Sequence, residues 1–177
     1  GAEVHQSIST SFYLSTIAAT KNNTLFIGGK FKISGGEVRR SIALINLSTG
    51  KLYPWHADID EEVFDFDIAD GKIYYVGFFK NVKGTARNSI AASYLSNGAL
   101  HTWNPILDKY SGLIHISNGK AFIGNGPFTT INGISRKYLA AIDTGTAQAT
   151  SFQPFKNATS YTVMYSLHSY KNSLYVG

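Results

Sequence analysis

The chain has 177 residues and a formal net charge of +5; 44% of its residues are apolar and 14% aromatic. That apolar content excludes a disordered chain and suffices for one or two ordinary cores. There is no cysteine, which excludes disulfides and thiolate metal sites, and no apolar run approaches the roughly 18 residues of a membrane span.

In chain order, a polar turn at Asn22-Asn23 leads into a strand predicted over Leu25–Phe31, apolar and interrupted by Gly28 and Gly29. A second strand follows Arg39 over Ile42–Leu47. A turn at Ser48-Thr49-Gly50 precedes a short third strand centred on Leu52–Trp55. The fourth covers Val63–Ile68, where Phe64, Phe66 and Ile68 alternate with Asp65 and Asp67. That alternation marks a half-buried antiparallel strand.

The series then begins again. Phe31, Phe79 and Phe128 are 48 and 49 residues apart, and each is followed by a glycine five residues on (Gly36, Gly84, Gly133). Arg39, Arg87 and Arg136 keep the same spacing, and Trp55, Trp103 and Phe152 close the units. The turns Asn22-Asn23, Asp70-Gly71, Asn118-Gly119 and Lys171-Asn172 each precede a strand. The Asp-Gly and Asn-Gly pairs among them tolerate positive φ at both positions and so predict two-residue hairpins. No segment carries a capped 3.6-residue stripe, so no helix is expected.

Four antiparallel strands at this period predict an all-β fold of β-propeller blades, an incomplete ring of about 3.6 blades. Residues 1–28 form a part-blade, and 29–77, 78–125 and 126–177 are successive repeat units of a single propeller segment. The chain opens at Gly1 without an initiator methionine and stops inside a repeat, which reads as a fragment of a larger propeller. The alternative is self-association, two copies closing a ring of about seven blades.

The residues Gly28, Gly29 and Phe31, with Arg136, Ala140 and Asp143 and then Trp103, Asn104 and Pro105, resemble the delta-60 (DUF5122-type) β-propeller repeat. They are also similar to the repeats of Rax2-like cell-surface proteins. The likeness runs from Leu25 to Gly177, with departures at Gly77-Phe78 and Phe152. It implies a large extracytoplasmic protein, secreted or at the cell surface, and carries no catalytic motif.

Four groups of residues are weighed as candidate sites. Arg39, Arg40, Lys80, Lys83, Arg87, Arg136 and Lys137, with Lys30 and Lys32, fall at one phase of the repeat. Equivalent loops of a propeller share a rim, so these cations could form a basic face for an anionic glycan or an acidic protein. The bland reading has the arginines bonding backbone carbonyls and the lysines solvated. Asp67, His115 and His168 are equivalent when counted back from the hairpin turn, and would line a central channel if their strand is innermost. The recurrent aromatics read as packing between blades and not as a stacking platform. The acidic stretch Asp58–Asp67 lacks the spacing of a calcium loop and reads as solvated. Glycosylation sequons stand at Asn22, Asn46 and Asn157.

No nucleophile elbow, phosphate loop or HExxH motif occurs. No metal site, cofactor or nucleic-acid partner is expected. The sequence thus points to a non-catalytic binding or scaffold module whose ligand is a protein or a glycan. The alternative is part of a glycan-active propeller enzyme.

Overall fold

The structure, a computed structural model, describes residues 7–8, 13–20, 22–34, 39–160 and 163–177. Gly36 lies outside them. Among the described residues there is no helix, and the strands form several small antiparallel sheets.

The first sheet comprises β1 (Ser7–Ile8), β2 (Tyr13–Ala19), β3 (Thr24–Ser34) and β4 (Arg39–Asn46). The second is β5 (Val63–Ala69), β6 (Lys72–Gly77) and β9 (Ile90–Tyr94), with the small hairpin β7 (Asn81–Val82) and β8 (Thr85–Ala86) inserted before its last strand. The third repeats the second: β10 (Leu113–Ser117), β11 (Lys120–Gly124) and β14 (Leu139–Asp143), with the hairpin β12 (Thr130–Ile131) and β13 (Ile134–Ser135). The fourth is the pair β15 (Leu167–Tyr170) and β16 (Ser173–Val176).

In the first three sheets the central strand pairs on both sides, and a single bridge adds a fourth segment: Ile45 to Leu52, Ser93 to Leu100, Ile142 to Ala149. The third strand segment predicted over Leu52–Trp55 is thus reduced to one bridge. The other three predicted strands occur as β3, β4 and β5.

The turns decide the register. Asp70 and Gly71 have φ of 49° and 69°, and Asn118 and Gly119 repeat those values, so both are the predicted two-residue hairpins. The first hairpin is wider, closed by Thr20 N–H donating to the Thr24 carbonyl.

The sheets stack face to face in chain order, first strand beside first strand: β2 against β5, β5 against β10, β10 against β15. The second sheet is covered on both faces. Phe66, Ile73 and Tyr75 look to the first sheet and meet Phe26, Ile42 and Trp55. Tyr74, Val76 and Ile90 look to the third and meet Trp103, Ile114 and Ile123. Burial on both faces explains why β6 reads as the continuous apolar run Ile73–Val76. Each closing tryptophan also ties two sheets. Trp55 Nε1 donates to the Tyr94 carbonyl at 3.3 Å and Trp103 Nε1 to the Asp143 carbonyl at 2.9 Å. Phe31, Phe79 and Phe128 are buried, while Phe152 is only half-buried.

Candidate functional site

The first strands carry the polar residues that bridge sheets. Asp65 Oδ1 accepts from Thr16 Oγ1 of the first sheet at 3.1 Å, and its Oδ2 accepts from Ile114 N–H of the third at 3.0 Å. Asp67 Oδ2 accepts from Ile116 N–H at 2.7 Å. The same oxygen lies 2.9 Å from His115 Nδ1. The His115 and His168 rings face each other at 5.5 Å between centroids. The structure therefore brings Asp67, His115 and His168 into one contiguous row across the second, third and fourth sheets. A further member was not evident from the sequence. Ser169 Oγ sits 2.8 Å from His115 Nε2. Serine is common in this chain, and only the packing of β15 against β10 singles this one out.

Burial pushes the Asp65 carboxyl up to about 6, against the lowering effect of its three hydrogen bonds. The unfolded chain ionises Asp65 near pH 3.8, before the folded protein does. Below that pH both states are protonated and the group is neutral to stability. As pH rises from 4 to 6 the fold is progressively penalised, by about 3 kcal/mol in full for a shift of about two units. Asp60 and Asp108 act elsewhere. Burial raises them, but bonds from Asn81 and Lys80, and from Thr129 and Thr130, outweigh it and hold both below the usual range. Their contribution is present above that range and lost only at lower pH. The expected result is a stability to urea that falls by about 2–3 kcal/mol between pH 4 and 7 in the wild type, and a nearly flat profile in Asp65→Asn. Equal slopes in both proteins would refute this assignment.

Asp60 is exposed but engaged, which corrects the reading of the acidic stretch as a merely solvated loop, and Asp108, outside that stretch, repeats its role one unit on. Asp60 Oδ1 accepts from Lys80 and Asn81 N–H, and Asp108 Oδ1 from Thr129 and Thr130 N–H. Each aspartate thus holds the entry to a small hairpin of the next unit. Asp58 pairs with His56 at 2.9 Å and with Lys83 at 3.6 Å. Among the described residues no three His, Asp or Glu side chains, the Asp67–His115–His168 row included, are placed to hold one metal ion.

The arginines at the rim phase serve the fold. Arg39 Nη2 donates to the Tyr53 carbonyl at 3.0 Å, Arg87 Nη2 to His101 at 3.2 Å, and Arg136 Nη2 to Thr150 at 2.6 Å. Each bond spans 14 residues and ties the start of a sheet's third strand to the segment leading into its closing aromatic. Arg39 and Arg87 are buried and Arg136 is half-buried. Lys30, Arg40 and Lys80 are exposed, Lys137 is half-buried, and exposed Lys83 is paired with Asp58. The side chain of Lys32 lies outside the described residues.

No protein-family model matches this chain, and no curated protein matches it.

A cavity of about 470 Å³ opens between the first and second sheets, walled by Phe26, Leu44, Tyr53 and Leu95 and rimmed by Thr20, Asn22, Thr24 and Ser96. The next gap shows why it is open. Tyr74 stands where Phe26 stands, 48 residues on, and its hydroxyl bonds the Thr144 side chain. Thr144 is the counterpart of Leu95, and Ala92 that of Leu44. Phe26 has no hydroxyl to make this closure. Of the three sequons, Asn22 and Asn157 are exposed. The Asn46 amide is engaged, accepting from Ser48 and Thr49 N–H and donating to the Tyr53 hydroxyl.

Proposed function

We propose that this chain is an arc of a β-propeller of the delta-60 type, the binding scaffold of a secreted or cell-surface protein, and that it seats a neutral sugar between its first and second sheets. The stacking of four sheets by their first strands supports the propeller reading, since inner strands meet in this way around a ring. The observation that carries the ligand class is the cavity at Phe26. Its size lies within the range of small-molecule sites. Its wall offers aromatic faces at Phe26 and Tyr53, and its rim offers hydroxyls and an amide at Thr20, Thr24, Ser96 and Asn22. A sugar ring presents the complementary pair, an apolar C–H face and a hydroxyl edge. A sulfated ligand at the rim phase is less well served, because three of the nine cations there bond carbonyls.

The test copies the closed gap into the open one. Phe26→Tyr/Leu95→Thr recreates the Tyr74–Thr144 hydrogen bond and so bridges the mouth of the cavity. Wild-type protein is expected to bind members of a panel of neutral oligosaccharides by calorimetry. The double variant should keep its β spectrum and lose at least tenfold in affinity, about 1.4 kcal/mol. Absence of binding in the wild type, or equal binding in both, would refute the proposal.

A further inference from the structure

We propose that Asp67, His115 and Ser169 form a charge-relay triad with Ser169 as nucleophile, acting on carboxylic esters that carry an anionic group. This goes beyond the scaffold reading and uses a different gap, between the third and fourth sheets.

The geometry is that of an activated serine. Asp67 Oδ2 lies 2.9 Å from His115 Nδ1, and His115 Nε2 lies 2.8 Å from Ser169 Oγ. An ionised carboxylate only accepts hydrogen bonds, so the proton of neutral His115 belongs on Nδ1. Nε2 is then the free lone pair, and Ser169 Oγ–H donates to it. That is the arrangement in which an imidazole works as general base for a hydroxyl. Asp67 is itself held by Ile116 and Ile68 N–H, each at 2.7 Å, which fixes the orientation of the pair.

The oxyanion needs a donor, and the strand register provides one. The β15–β16 hairpin closes on Tyr170 and Ser173, so Ser169 and Leu174 form the next pair, which exchanges no ladder bonds. The Ser169 N–H therefore points away from β16, toward the inner edge. Ile116 occupies the same position in the third sheet, and its N–H points that way to reach Asp67. The nucleophile's own amide is thus placed to stabilise charge on an attacked carbonyl oxygen.

Ser169 also lines a cavity of about 310 Å³. Its walls are Phe122, Phe152 and Leu174, and Lys120 and Lys171 stand at its edge. Phe122 pairs with His115 across β10 and β11, and so lies on the same face of the third sheet. Leu174 pairs with Ser169 in the same manner. An acyl chain fits the aromatic wall, and the lysines suit an anionic leaving group.

The step balances with water alone. Ser169 Oγ bonds the ester carbonyl carbon as His115 Nε2 takes its proton. The C–O bond to the alcohol breaks, and His115 returns the proton to the departing oxygen. Water, deprotonated by His115, then releases the carboxylic acid and restores Ser169.

The test is active-site labelling of the full chain with a fluorophosphonate, mapped by mass spectrometry. Ser169 should be labelled ahead of all other serines. Its labelling rate should fall about 10²-fold or more in His115→Gln, which keeps a hydrogen-bonding side chain but has no base. Ser169→Ala, a small change on a half-buried strand, should abolish that label while leaving the β spectrum unchanged. A serine that merely ties two sheets would stay unreactive. Folded wild-type protein with no label on Ser169, or a rate unaffected by His115→Gln, would overturn the proposal.

Discussion

Trp103→Ala should lower stability by about 3–5 kcal/mol, the range for emptying a large aromatic site in a core. Trp103 is 2% exposed and lies between the second and third sheets. Its ring meets Tyr74 edge-on at 5.2 Å between centroids. Truncation opens a void on the face of β6 and strands the Asp143 carbonyl that Nε1 bonds. Two variants separate these effects. Trp103→Phe keeps an aromatic in the gap and removes the N–H, as Phe152 does one unit later. It should cost less than the alanine variant, near 1–2 kcal/mol for the lost bond and the smaller ring. Urea unfolding measures both, and Trp55 remains as the fluorescent reporter. A loss below about 1 kcal/mol for Trp103→Ala would mean that the sheets do not pack through this residue.

The sequence discloses the repeat because the same side chain performs the same task in each unit. Arg39, Arg87 and Arg136 reach a carbonyl 14 residues on, and Trp55 and Trp103 each cross to the next sheet. Tasks shared by three units leave a 48-residue signature. The hairpins at Lys83-Gly84 and Asn132-Gly133 left one too. Both pairs have positive φ, yet the two-residue strands around them are too short to show an alternation. The first-strand row was half legible. Asp67, His115 and His168 share a register, but Ser169 is one position off it. A side chain on the first strand of one sheet reaches between two residues of the next, as Asp67 does between His115 and Ile116. The cavity at Phe26 was not legible. It lies where Phe26, Leu44 and Leu95 stand in place of Tyr74, Ala92 and Thr144, and only the hydroxyl pair closes the second gap, a difference that an apolar pattern does not register.

Gly77→Ala should cost about 3 kcal/mol or more, the upper part of the range for forced overpacking. The reason is space and not backbone conformation, for Gly77 is not among the positive-φ residues. A Cβ there would stand 2.0 Å from the Glu62 carbonyl oxygen and 2.9 Å from the Val63 Cα. Both obstacles are backbone, so no rotamer change relieves them. A Cβ on Gly29 would stand 2.2 Å from the Tyr13 carbonyl oxygen and one on Gly126 2.1 Å from the Tyr110 carbonyl oxygen, so the close approach recurs at the repeat spacing of 48 and 49 residues. In the first two sheets it lies where the ladder slips, between Leu14 and Thr16 and between Val63 and Asp65. A bulge there draws the first strand across the second and leaves no room for a side chain. Moving β5 to admit a methyl group would also displace Asp65 and Asp67, which hold the second sheet to the third. Gly84→Ala is the control. Gly84 has φ of 73° and nothing within 4 Å of its Cβ position, so it should lose only about 1–2 kcal/mol of conformational preference. Urea midpoints of the two variants give the comparison. Gly77→Ala should be the less stable protein, and a reversed order would show that the close strand crossing is not what glycine serves at this position.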